Sequence, residues 1–233
     1  MSEVPSGAPA NPPASLGPVG GARGGVLAES GRVEAFSDGV LAIVITLLVL
    51  DLRAPDTRDA MLDQLLHQWP AYVAYLASSA YVGVIWVNHH QLFMRIAAVD
   101  TGLLWRNLVL LLATSVLPFP TAVLGSAFQH GSHRDQTVAL VFYALVSAAM
   151  AATWLALFHY LAASERLLAG NTSSSFFAQE RRRALIGVAA YLIAGLVAPW
   201  EPVLGLIVAA ALPVFYGATS DGLPRPRARS ARL

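Results

Sequence analysis

The chain has 233 residues, 56% of them hydrophobic and only 12% charged, with a net charge of +1 and no cysteine. A soluble domain carries about twice that charged fraction, so a water-soluble enzyme or nucleic-acid-binding module is excluded and an all-α polytopic membrane protein is implied. Disulfides and thiolate metal sites are excluded as well, and all 15 basic residues are arginine.

Residues 1–30 are rich in Pro, Gly, Ala and Ser and have no helical period, which predicts a disordered tail. The first apolar span is predicted over about 33–52. Its ~20 residues are enough to cross about 30 Å of hydrocarbon. It holds Ser37 and Asp38 about a turn and a half inside. An acid at the centre of a membrane helix costs about 2.5–3.5 kcal/mol, so Asp38 is expected to have a partner or a polar path.

Five more spans follow, over about 69–95, 102–126, 136–163, 183–199 and 203–219. Pro118 and Pro120 predict a kink or an end in the third, and Pro213 does the same in the sixth. Trp69, Tyr72, Trp200 and Tyr216 suit interfacial belts. Residues 220–233 carry Arg225, Arg227, Arg229 and Arg232 and read as a basic, unstructured tail. The predicted organisation is thus an N-terminal tail 1–30, a six-helix membrane domain 31–219 and a C-terminal tail 220–233.

Arginine placement sets the expected orientation. With the N-terminus inside, the inner side holds Arg23, Arg32, Arg95, Arg106, Arg166, Arg181, Arg182, Arg183 and the four tail arginines, against Arg53, Arg58 and Arg134 outside. Both termini are therefore expected in the cytoplasm. The Arg181–Arg183 triplet reads as an inner-side anchor, with contact to anionic lipid as a second reading. The outer loops hold Asp51, Asp56, Asp59, Asp63, Asp135 and Glu201. These form either a cation-concentrating mouth or ordinary solvated loops.

This topology brings three polar clusters to one depth: Ser37 and Asp38 in span 1, Trp86, Asn88, His89 and His90 in span 2, and Arg106 and Asn107 in span 3. Polar groups in low dielectric need partners, so one hydrogen-bonded network is expected. It fits a structural lock, a proton or ion relay, or a metal site. Neighbouring histidines point about 100° apart on a helix and lack zinc-helix spacing, which disfavours the metal. At about 100° per residue, Phe36, Val40, Ile43, Leu47 and Leu50 share one stripe of span 1, with Thr46 at its edge and Asp38 on another face. Either the stripe or the acid can line a pore, but not both.

Arg32-x-x-x-Phe36-Ser37-Asp38 resembles the RxxxFSD signature of the transmembrane protein 175 family. Trp86-Val-Asn88-His89-His90, Leu104-Trp105-Arg106-Asn107 and Leu117-Pro118-Phe119-Pro120-Thr121 are similar to its second and third spans. The resemblance implies a potassium channel whose fold lacks a carbonyl selectivity filter. It also implies six transmembrane helices per chain, four copies per channel and a bacterial inner-membrane location. By the same resemblance the first helix lines the pore, Ile43 is the constriction, Thr46 contributes to selectivity, and Leu47 and Leu50 form further apolar layers. The motif Arg32, Ser37 and Asp38 is then tied to polar residues of spans 2 and 3. No cofactor is expected beyond the permeating potassium ion, and the partners are sister subunits and the bilayer, with no nucleic acid. The competing reading is a proton-coupled secondary transporter using Asp38, His89 and His90. It predicts an internal repeat, and spans 4–6 hold no second FSD-like motif.

Overall fold

The computed structural model describes residues 30–55, 60–170 and 172–220. Both tails and the acidic-mouth residues Asp56 and Asp59 lie outside these apart from residues 30 and 220. The described chain is helical: α1 (Ser30–Leu48), α2 (Met61–His67), α3 (Trp69–Phe93), α4 (Thr101–Ser115), α5 (Pro118–His130), α6 (His133–Ala162), α7 (Ser174–Val197) and α8 (Pro202–Thr219). An isolated antiparallel bridge joins Ile96 to Leu168.

The helix ends follow local chemistry. Asp100 caps α4 by accepting from the Leu103 amide at 2.9 Å. Ser132 and Asp135 cap each other's backbone at the start of α6 in a capping box. The third span divides where its prolines stand. Pro118 and Pro120 have no N–H to donate, so α4 stops at Ser115 and α5 restarts at Pro118 after a single turn. Together they form an apolar stretch over Thr101–His130. At Pro213 the helix does not end: α8 runs through it to Thr219.

Among the described residues, five stretches are long and apolar enough to cross a membrane: Ser30–Asp51, Trp69–Phe93, Thr101–His130, His133–Ala162 and Pro202–Thr219. The predicted fifth span corresponds to α7, which has 24 residues but carries Glu180 and Arg181–Arg183 in its first half. Two of those charges face inward. Arg183 pairs with Glu180 and donates to the Tyr216 carbonyl at 2.9 Å. The arginine triplet is therefore not a uniform anchor. Tyr216 is likewise drawn into the bundle, stacked on Tyr81 at 6.1 Å, while Trp69 and Trp200 are exposed.

The core runs through the bundle, from Leu41, Val44 and Leu48 of α1 to Tyr191 of α7 and Leu212 of α8, and small residues let backbones approach where α7 meets α8. A Cβ on Gly205 would sit 2.7 Å from the Ala194 carbonyl oxygen. Glycine leaves that space free, so α8 lies directly against α7 there. The leading helix α1 packs on α3, α4 and α5.

Candidate functional site

Helix α1 has two faces of different character. Ser37, Leu41, Val44 and Leu48, spaced three or four residues apart, are buried against the bundle. On another side Phe36, Ile43 and Leu47 are exposed by 55, 59 and 41%, and Leu50, in the turn just after α1, by 73%. Thr46 is exposed beside them, whereas Val40 is partly covered. The Thr46 hydroxyl donates to the Ile43 carbonyl at 2.8 Å. Its hydrogen is thereby committed to the helix, and its oxygen lone pairs remain for a cation or water.

The buried face carries the polar lock. Asn107 of α4 stands at its centre and is itself buried. Its amide nitrogen donates to the Ser37 hydroxyl at 2.9 Å, and its oxygen faces the Nε2 of His89 at 2.9 Å. Ser37 passes its own hydrogen to the Val33 carbonyl at 2.8 Å. With the Asn107 oxygen as acceptor, the His89 Nε2 carries the hydrogen. The ring is held flat against Phe93, with centroids 4.4 Å apart. One chain of hydrogen bonds therefore joins α1, α4 and α3.

A second set of contacts runs along the side of α1. The Trp86 indole donates to Asp38 at 2.9 Å, and the Nδ1 of His90 meets Glu34 at 2.7 Å. Glu34 and Asp38 are four residues apart on α1, and Trp86 and His90 are four apart on α3, so each pair shares a face. The two helices are antiparallel, and the contacts form two rungs one turn apart. The Trp86 and His90 rings stack between the rungs at 6.3 Å. The acid that the sequence left in search of a partner is held by an indole N–H.

Three predicted members stand apart. Asn88 lies about 100° round α3 from His89 and accepts from Ser220 at 2.7 Å, at the end of α8. Arg106 turns to α6, donating to the Gly102 carbonyl at 2.9 Å and lying over the Tyr160 ring at 3.9 Å. Arg32 is exposed and makes no hydrogen bond or ion pair among the described residues. His89 and His90 face different partners. Among the described residues no three metal-ligating side chains come together.

Two features were missed by sequence reasoning. Glu34 was detectable as the acid one turn before Asp38. The second is the cluster at Asp100, which accepts from Tyr160 at 2.7 Å and from Arg166 at 2.8 Å. Burial alone raises the Asp100 carboxyl, but the Leu103 amide, Arg166 and Tyr160 outweigh it and hold it below its usual range.

An apolar helical bundle with a polar lock inside and an unpacked stripe on its leading helix defines a multi-pass membrane protein. The family profile described as "Endosomal/lysosomal potassium channel TMEM175" matches residues 32–118. The chain is 39% identical over 199 residues to a potassium channel of Streptomyces collinus, covering 84% of this chain and 95% of that protein. It is 38% identical over 170 residues to a potassium channel of Chamaesiphon minutus, covering 71% and 82%. A crystal structure of a homologue, from Chamaesiphon minutus, of the lysosomal potassium-selective channel TMEM175 superposes with a TM-score of 0.72 and 32% identity. That match covers 82% of this chain and 98% of the other. The chain belongs to the TMEM175 family; it is an ion channel and not an enzyme.

Proposed function

We propose that the chain is a modestly potassium-selective cation leak channel, built as a homotetramer in the bacterial inner membrane with both termini in the cytoplasm. Each subunit contributes a six-helix membrane domain over residues 31–219, flanked by the tails 1–30 and 220–233. The first helix of each subunit lines the pore. The permeating ion is potassium, as the names of the bacterial relatives suggest, and no cofactor takes part.

One observation carries this reading. Ile43 and Leu47 on α1, and Leu50 in the turn after it, stand unpacked while another face of the same helix is locked into the bundle. Four Ile43 side chains around an axis form a narrow apolar ring. Such a ring expels water, and an ion cannot cross it bare. Opening widens the ring until it wets. Beside it, four Thr46 oxygens replace part of the hydration shell of potassium and give a modest preference over sodium. Leu47 and Leu50 supply further apolar layers. Asp38 and Glu34 serve as positioning residues that fix the rotation of α1 and therefore the direction of Ile43.

The relay of a proton-coupled transporter is less well supported. It needs Asp38, His89 and His90 in series, yet His89 contacts Asn107 and His90 contacts Glu34. The test of the channel reading is Ile43→Ala in patch recordings or in liposomes loaded with a potassium-sensitive reporter. Basal cation current rises several-fold if Ile43 is the constriction. Current equal to that of the unaltered protein removes Ile43 as the gate.

A further inference from the structure

Four charges enter α7 within one turn, and only two of them find partners inside. Glu180 and Arg183 are turned into the bundle as an ion pair. Arg181 and Arg182 make no hydrogen bond or ion pair among the described residues. They border an open groove of about 620 Å3 between α6 and α7. That volume falls within the ~300–1,000 Å3 typical of small-ligand sites. His159 lies at the same groove, and Leu155, Ala156 and Leu185 supply its apolar wall.

Depth explains why these arginines need a counter-ion. Beyond Arg183, Ala184–Val197 adds only about 21 Å of helix at 1.5 Å per residue, less than the roughly 30 Å of a hydrocarbon core. The arginine backbones therefore stand a few ångströms inside the hydrocarbon edge, and their stems extend along apolar surface to bring the charge out to the phosphates. A cation left unpaired at that depth is costly. Below it, the leucine and alanine wall matches an acyl chain and not a soluble anion.

We infer that the groove between α6 and α7 is a binding site for an anionic phospholipid, with Arg181 and Arg182 on the phosphate, His159 beside the headgroup, and Leu155 and Leu185 against the acyl chains. Basic pockets between membrane helices bind anionic headgroups by this chemistry. The site is independent of the pore reading, because α7 packs on α6 and α8 while α1 packs on α3, α4 and α5.

The test is native mass spectrometry of the full chain in detergent, titrated with phosphatidylglycerol or phosphatidylcholine. The unaltered protein retains phosphatidylglycerol in preference to phosphatidylcholine. Arg181→Gln with Arg182→Gln weakens that retention by about 30-fold, the loss of two cations near an anionic headgroup. Arg134→Gln, at the other end of α6, leaves it unchanged. Ala156→Trp fills the groove without touching a charge, abolishes retention, and decides the matter if the double variant fails to fold. Equal retention of both lipids, a double variant that binds like the parent, or displacement of phosphatidylglycerol by millimolar inorganic phosphate would overturn the site.

Discussion

Replacing Asn107 by leucine removes the centre of the lock while keeping a branched side chain in place. Two hydrogen bonds of 2.9 Å disappear, one to Ser37 and one to His89. Bonds between membrane helices contribute about 0.6 kcal/mol each on average and up to about 1.7. Ser37 keeps a partner in the Val33 carbonyl, but the His89 Nε2 is left buried and unpaired, at a further ~1–3 kcal/mol. The expected loss is about 2–4 kcal/mol. It is read as a fall of roughly 5–15 °C in the thermal midpoint of the purified protein in detergent, followed by tryptophan fluorescence. Adding His89→Leu removes the stranded donor. The double variant is therefore more stable than the sum of the two single losses predicts, by at least about 1 kcal/mol. If Asn107→Leu leaves the midpoint unmoved, or if the two losses simply add, the lock does not hold α1 in the way described.

Thr46→Ala lowers the potassium-to-sodium permeability ratio, read as a shift of reversal potential under bi-ionic conditions; an unaltered potential removes the hydroxyl from selectivity. Gly205→Ala pushes a Cβ to 2.7 Å from the Ala194 carbonyl oxygen, and its overpacking lowers stability by about 1–3 kcal/mol in the same thermal assay. Asp100 gives a pH signature. Its folded pKa lies below the ordinary 3.8, so its contribution is complete above that value and is lost as pH falls through the lowered one. Asp100→Asn flattens the acid limb of the stability curve, whereas an unchanged limb assigns acid sensitivity to other carboxylates.

The apolar spans were legible in the sequence because membrane helices announce themselves by length and composition. The break before Pro118 was legible because proline lacks a donor. The stripe on α1 followed from period alone, and its exposure matches the projection at Phe36, Ile43 and Leu47. The lock was readable as a convergence of depths, but its membership was not. Asn88 and Arg106 stand one residue from His89 and Asn107, and one residue on a helix is a change of face. Which face meets which neighbour depends on helix packing that no local pattern records. The same limit hid the inward turn of Arg183, which looked like its two neighbours in the triplet and found Glu180. Pro213 looked like Pro118, yet α8 tolerates it.

Of the two rungs between α1 and α3, only the one at Trp86 tells the present register from a neighbouring one. A turn of helix is about 6 Å for four residues. Sliding α1 by that much toward its own start would set Asp38 against His90 and carry Glu34 out past the end of α3. An acid would meet an imidazole in either position, so charge pairing hardly distinguishes the two. What forbids the slip is hydrogen bonding: Ala42 would arrive opposite the Trp86 indole N–H, Leu41 would arrive where Ser37 now stands, and the Asn107 amide would point at a methyl group. One hydroxyl and one indole N–H thus turn an otherwise sliding contact into one with a unique stop.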